Sequence, residues 1–425
     1  MYLYKGFFNM EQNELIPHLF RTEYRKIVAV LVRLFGIEHI ETAEDIVSDT
    51  FLRATELWGL KGLPPNPTAW LYTVAKNKTK DFLKRDALFE QKISIELKHR
   101  TKTREEIEID LSGKNINDSQ LAMMFAVCHP SISAESQIAL SLNLLCGFGA
   151  DEIAEAFLTS KDVIYKRLAR AKEKLKAEKV SIEQPTVAEI NERMSTVLTT
   201  LYLLFNEGYY SSSQNNMLRK DLCVEAMRLT FLLIENEITN RPVANALLSI
   251  MCFHSSRFEA RTNPDGEIIL YEDQDTNLWD GELIEKGEYY LKLSMNENPQ
   301  LSKYHLEAAI AYWHTQKNDT VEKWTSVLHL YNRLLQTEYS PIAALNRTYA
   351  LAKAHSKEEA IEEAEKLRLS GNHLYHSLLG HLYMDIDNKK ALFHFEAALD
   401  LAKSTAEKSV ISKNINRFNK MITSL

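Results

Sequence analysis

The chain has 425 residues, 45% of them hydrophobic and 26% charged, with a formal net charge of −7. That length exceeds what one core organises and the composition is globular, so two to four domains of about 150 residues each are expected. With 13 Gly and 10 Pro to make turns, an all-α fold class is expected, and no run approaches the roughly 20 apolar residues of a membrane span, which argues against a membrane partner and for a cytoplasmic location.

Leu15, Leu19, Ile27, Val30, Leu31 and Leu34 recur at helical spacing and Gly36 follows them as a stop, which predicts a helix over 15–35. A second helix is expected over 42–58. The segment GLKGLPPNPTAW then breaks the pattern, and a third helix with a basic face follows over 70–83. Residues 10–86 read as one helical domain. Residues 87–118 are charged, poor in large apolar side chains and end in SGKNINDS, the composition of a flexible tether. Helices over 120–127, 134–146, 150–157 and 161–176 make a second small domain over 119–180. From 181 to 425 the chain is a run of amphipathic helical segments, interrupted at TNPDGEIILYEDQDTNLWDGE. Near its end Leu379, Gly380, Tyr383, Ala391, Phe395 and Ala398 nearly reproduce the tetratricopeptide pattern, and PIAALNRTYALA reads as the first helix of the preceding repeat. A helical-repeat domain, irregular toward its start, is expected there. Cys128, Cys146, Cys223 and Cys252 are too dispersed for a disulfide framework or a zinc site and read as buried small hydrophobes.

Charge is divided unevenly along this plan. Residues 1–180 hold 26 Lys and Arg against 25 Asp and Glu, whereas residues 181–425 hold 25 against 33, or +1 against −8. The bases of the first part cluster at 76–85 and 161–179, as a nucleic-acid footprint does. In LSLNLLCGFGADEIAEAFLTSKDVIYKRLARAKEKLK two short helices flank a tight turn, the pattern of a helix-turn-helix. Ser160 is placed to cap the second helix, which points Lys161 into a major groove and lets Lys166, Arg167 and Arg170 reach bases or phosphates, while Val163, Ile164 and Leu168 bury the opposite face. A solvated lysine-rich amphipathic helix shows the same bases without binding DNA. In NPTAWLYTVAKNKTKDFLKRD, Trp70 and Tyr72 alternate with Asn77, Lys78, Lys80 and Arg85, the mixture of stacking and phosphate neutralisation that unpaired DNA calls for, although Trp70, Leu71, Val74 and Phe82 also suit an ordinary core.

AEDIVSDTFLRATELW followed by NPTAWLYTVAKNKTKDFLKR resembles the promoter-melting domain of extracytoplasmic-function sigma factors, and the helix-turn-helix resembles their upstream promoter-reading domain. LYLLFNEGYY, DLCVEAMRL, DQDTNLWD, KYHLEAAIAYWHT and SPIAALNRTYALA are similar to the long C-terminal extension of one group of these factors. The resemblance implies a sigma factor that binds core RNA polymerase and promoter DNA. It implies that Asp45, Asp49 and Phe51 meet the clamp of the largest polymerase subunit, that Asn77, Lys78, Lys80 and Arg85 face the minus-ten element, and that Lys161, Lys166, Arg167 and Arg170 read the minus-thirty-five element, with a flap-type surface as the second polymerase contact. Ser48-Asp49 stands where a glutamine-acid pair is more usual in the family.

The acidic extension is expected to modulate the sigma part, by an intramolecular contact. Asp265, Glu272, Asp273 and Asp275 crowd one loop but lack calcium-loop spacing, and Asp273, Gln274, Asp275 and Trp279 read better as locks between helices. His373, His376 and His381 do not fall on one helix face. No catalytic residue, metal or cofactor is therefore expected. A ligand- or peptide-responsive helix-turn-helix regulator accounts for residues 133–425 but leaves the segment 70–85 and the acidic helix near Glu44 without a role.

Overall fold

The computed structural model describes residues 12–85, 109–157, 159–209, 219–263, 269, 271–296, 300–402 and 405–423. These are helical, with no strand among the described residues, and the chain divides into two compact units, Met1–Leu203 and Leu204–Leu425.

The first unit opens with α1 (Gln12–Phe35), which stops at Gly36, a residue at φ 93° whose N–H reaches the Val32 carbonyl at 2.8 Å. Helix α2 (Ile40–Lys61) ends in the same way at Gly62, φ 80°. The Pro-rich break follows, and α3 (Pro67–Arg85) starts with a proline in its first turn, where a missing N–H costs nothing, under a cap from the Asn66 side chain to Ala69 N–H. Ile27 and Leu31 of α1, Val47 of α2 and Leu71 of α3 fill the centre. Residues 87–108 of the expected tether lie outside the described residues. Its last part is ordered: Ile109 is buried and Ser112 caps α4 (Gly113–Val127), which begins ahead of the expected helix at 120.

The expected helix over 134–146 is α5 (Ala134–Leu140), capped by Ser133, running into a π-helical turn at Ser141–Leu145. Gly147 at φ 82° then turns the chain into α6 (Ala150–Ala156). Ser160 accepts from Val163 N–H and caps α7 (Lys161–Ala177), as its position in the sequence required. Helix α4 lies against α1, so the two expected sigma domains share one unit.

Helix α8 (Val187–Tyr209) crosses the unit boundary. The second unit continues with α9 (Lys220–Glu235), the almost wholly apolar α10 (Pro242–Ser255), short α11 (Phe258–Arg261), α12 (Gly281–Ser294) and then α13 (Lys303–Thr315), α14 (Val321–Thr337), α15 (Pro341–Ala354), α16 (Lys357–Leu367), α17 (His373–Tyr383), α18 (Asn388–Leu401) and α19 (Thr405–Thr423). From α13 onward each helix packs on its neighbours in sequence around one continuous core. The tetratricopeptide-like positions explain the last repeat: a Cβ on Gly380 of α17 would meet the Phe395 ring of α18 at 2.7 Å, and Ala391 and Ala398 are fully buried beside it. Small residues let the helices approach, and the phenylalanine fills the space. The four cysteines are buried, and burial pushes the thiols of Cys128, Cys223 and Cys252 up to about 12, as inert core residues require.

Candidate nucleic-acid and polymerase interface

Helices α2 and α3 meet through Trp58 and Trp70, whose ring centroids are 5.3 Å apart in an edge-on contact, so Trp70 serves partly as core. Beside this contact the two helices frame an open cleft of about 1060 Å³ lined by Asp45, Asp49, Arg53, Trp70, Asn77 and Lys78, among others. The cleft brings together residues expected to serve two different partners. Asp45, Asp49 and Asn77 are exposed, and Lys78 Nζ lies 3.2 Å from Asp49. An exposed pair of this kind contributes at most about 1 kcal/mol, so a phosphate can displace the carboxylate at little cost. Lys80 is exposed on α3 outside the cleft lining, and the side chain of Arg85 lies outside the described residues.

Phe51 does not fit its expected role as a surface anchor. It is 4% exposed and packs against Phe20 and Tyr24 at centroid distances of 5.2 and 5.9 Å. Its spacing from Val47, Ala54 and Trp58 places it on the buried stripe of α2. Ser48, which departs from the family pattern, serves a local hydrogen-bond network. Its hydroxyl stands 2.8 Å from that of Tyr24, which donates to the Glu44 carbonyl oxygen.

In the helix-turn-helix, Ile164 and Leu168 of α7 are buried, whereas Val163, expected beside them, is 43% exposed together with Tyr165. The exposed face of α7 therefore carries apolar as well as basic groups. Lys161, Lys166 and Arg170 are exposed, and Arg167 is half-buried with its guanidinium 5.9 Å from the Phe157 ring centre. Lys161 Nζ is held 2.6 Å from Asp151 of α6, a contact that raises the lysine above its ordinary pKa.

The base of α7 has partners that sequence reasoning did not anticipate. Lys172 reaches Glu44 of α2 at 3.1 Å, Arg25 of α1 reaches the same carboxylate at 2.8 Å, and Lys176 reaches Glu41 at 3.0 Å. Burial by itself would raise the Glu44 carboxyl, but Lys172 and Arg25 outweigh it and hold the group below its ordinary value. Arg33 of α1 adds longer contacts of 3.4 and 3.5 Å to Asn115 and Ser119 of α4. The two basic-aromatic modules are thus fastened to each other next to Asp45 and Asp49. The signal available in the sequence was charge complementarity between an acidic α2 and a basic α7, without any indication of which residues pair.

In the second unit the four expected locks between helices are mostly bonds within the loop before α12, and the Trp279 indole N–H has no hydrogen-bond partner among the described residues. Asp275 accepts from Asn277 N–H, Asp280 caps α12, Gln274 donates to the Ile269 carbonyl, and Trp279 is 9% exposed. Glu272, grouped in the sequence with possible metal-binding carboxylates, bonds instead to the Tyr349 hydroxyl and to Lys353 at 3.0 Å, and Asp273 reaches Arg417 at 3.6 Å. Asp265 lies outside the described residues. Among the described residues no cluster of His, Cys, Asp and Glu could hold a metal ion, and no helix is long and apolar enough to cross a membrane.

Comparison with known proteins bears directly on the α1–α3 module. Residues 19–88 match sigma-70 region 2. This match supports a sigma-70 family factor. Region 2 gives this sigma-family chain an RNA polymerase sigma factor role, with DNA binding and transcription initiation as its setting. Residues 193–295 match a family of unknown function, DUF6596. An uncharacterized protein of Rhizobium meliloti (strain 1021) is 31% identical over 397 residues, which cover 92% of each chain, so this sigma-type chain and the Rhizobium protein form one family over nearly their whole length. No solved structure matches the chain significantly.

Proposed function

We propose that this chain is a sigma factor of the extracytoplasmic-function type, of the group with a long tetratricopeptide-like extension, that binds core RNA polymerase and supports promoter opening. The observation that carries the reading is the α2–α3 cleft, where Trp70, Asn77 and Lys78 stand beside exposed carboxylates within the segment that matches region 2. In this reading Asp45 and Asp49 meet a basic surface of the polymerase clamp, and Asn77, Lys78, Lys80 and Arg85 engage the separated strand of the minus-ten element by stacking and phosphate neutralisation. The domain formed by α4 to α7 docks on a flap-type surface and reads the minus-thirty-five element with Lys161, Lys166, Arg167 and Arg170, under the Ser160 cap. Residues 181–425 modulate that activity, a role suggested by their charge of −8 against +1 for the sigma part.

The test is run-off transcription with purified core polymerase, the full-length protein and a fragment library of the source genome. Specific transcripts that appear only on addition of the protein establish the reading. Binding of duplex DNA without initiation moves the protein to the class of helix-turn-helix regulators. Repeating the assay without residues 181–425 tests modulation, and unchanged transcription would remove it.

A further inference from the structure

Around Tyr271 the second unit buries two positive charges that have no direct ion pair among the described residues. Arg257, between α10 and α11, is 8% exposed, and Lys323, in the first turn of α14, is 2% exposed. Both flank one ring: the Arg257 guanidinium lies 5.4 Å from the Tyr271 ring centre and the Lys323 ammonium 5.5 Å from it. The Tyr271 hydroxyl donates to the His314 carbonyl at 2.9 Å and accepts from Lys323 at 3.0 Å, and the Lys323 ammonium also donates to the Gln316 carbonyl at 2.8 Å. Trp279 stacks on the same ring at a centroid distance of 6.3 Å, and the His314 ring meets it edge-on at 5.1 Å.

The nearby carboxylates are committed elsewhere. Glu272 and Asp319 share Lys353, at 3.0 and 3.5 Å, and also take the Tyr349 hydroxyl and the Trp324 indole N–H. Neither Arg257 nor Lys323 has an ion pair among the described residues. The Arg257 side chain makes only long contacts, to the Tyr209 hydroxyl at 3.4 Å and to His254 Nδ1 at 3.5 Å, and its Nε has no partner. Trp279 Nε1 and His314 Nδ1 are likewise buried without a hydrogen-bond partner.

Two buried cations without a direct ion pair are costly to maintain: burial pushes Lys323 below its ordinary value although Asp319 offsets part of that through space, and a cation in the first turn of a helix also opposes the helix dipole. The local field is strong enough to act on its neighbours. Burial, with Arg257 and Lys323 beside it, pushes His314 down to about 3, and burial together with Arg257 pushes His254 well below its ordinary value, so both rings are neutral. A groove of about 450 Å³, lined by Trp313, Gln316, Lys317, Thr320 and Lys323 among others, is open to solvent, and Lys323 is the one member of the cluster in its lining. That size suits a small molecule.

We propose that this cluster is a binding site for a small oxyanion, a phosphate- or carboxylate-bearing molecule, with Arg257 and Lys323 as its charge partners and Tyr271 and Trp279 as its aromatic wall. The unpartnered Trp279 N–H and the neutral His314 supply directional hydrogen bonds to the bound group. The site lies wholly within the second unit, so it stands or falls independently of transcription by the first.

The full-length protein would be titrated with inorganic phosphate and, separately, with benzoate, at ionic strength held constant with sodium chloride. Melting temperature and tryptophan fluorescence would be read for the wild type, Arg257→Gln and Lys323→Met. A saturable rise in melting temperature with either anion, weakened roughly tenfold or more in the variants, supports the site. The anion that acts separates a phosphoryl group from an aromatic carboxylate. If Arg257→Gln does not fold, Lys323→Met and the wild type decide the matter. A wild type that responds to neither anion beyond chloride, or a response undiminished in the folded variants, overturns the proposal.

Discussion

The exposed lysines of the first unit and the buried cluster around Tyr271 in the second hold positive charge in opposite ways, although other cations of the second unit, such as Lys220 and Lys303, are paired as well. In the first, Lys78, Lys161, Lys172 and Lys176 lie at or near the surface, and each already has a carboxylate of the same chain within 3.2 Å. In the second, Arg257 and Lys323 are buried and have none among the described residues. Exposed pairs exchange their partners cheaply, which suits a long polyanion whose binding must be reversible and salt-dependent. Buried unpaired cations cannot be satisfied by a polymer or by bulk salt, and they suit one small anion that enters the protein.

The largest effect is expected in the packed array of the second unit. Phe395→Ala should cost about 3–5 kcal/mol in denaturant unfolding of the repeat array, since the ring is fully buried and fills the space left by Gly380. A loss below about 1 kcal/mol would show that the array does not depend on this ring. On the exposed side, replacing Lys166, Arg167 and Arg170 together by alanine should leave stability within about 0.5 kcal/mol. It should lower the slope of log affinity for promoter DNA against log salt by about 1 for each phosphate that is no longer neutralised. An unchanged slope would remove these residues from the DNA interface.

Glu44 supplies an intermediate case, because it is paired and half-buried. Its carboxyl is held below the ordinary glutamate value, so the stability it contributes is complete at neutral pH and is lost as the pH falls through that lowered value. Spin labels placed on α2 and α7 should move apart in Glu44→Gln at neutral pH and in the wild type under acid conditions, at a cost of about 1 kcal/mol per broken pair. Labels that keep their separation in Glu44→Gln would show that apolar packing alone joins the modules. The smallest effect is expected from a matched pair of neutralisations. Lys80→Met should change stability by less than about 0.5 kcal/mol, while Lys323→Met should leave it unchanged or raise it by up to about 1 kcal/mol, since an unpaired buried charge is removed. A clear loss of stability in Lys323→Met would mean that its bonds to Tyr271 and Gln316 outweigh its desolvation.

Local patterns were readable where one helix or one hairpin settles them. The cap at Ser160, the bounds of α7 and the Gly380–Phe395 contact follow from spacing along the chain. The same spacing, applied strictly, would have put Phe51 inside, since it lies four residues after Val47 and three before Ala54. The resemblance to exposed family positions outweighed that signal. Val163 shows the converse: an apolar side chain at the start of α7 is left exposed on the face that carries Lys166 and Arg170. The pairing of Glu44 with Lys172, 128 residues apart, and the meeting of Arg257, Tyr271 and Lys323 depend on how whole helices pack. Periodicity specifies which face of a helix is buried but not which partner covers it.

In the proposed sigma reading, the fastening of α7 to α2 acts as a latch. The Lys172–Glu44 and Lys176–Glu41 pairs join residues 128 and 135 positions apart in the chain, and each contributes about 1 kcal/mol. Salt screens such pairs, so the ionic strength that releases phosphates from the exposed lysines also loosens the hold of α7 on α2.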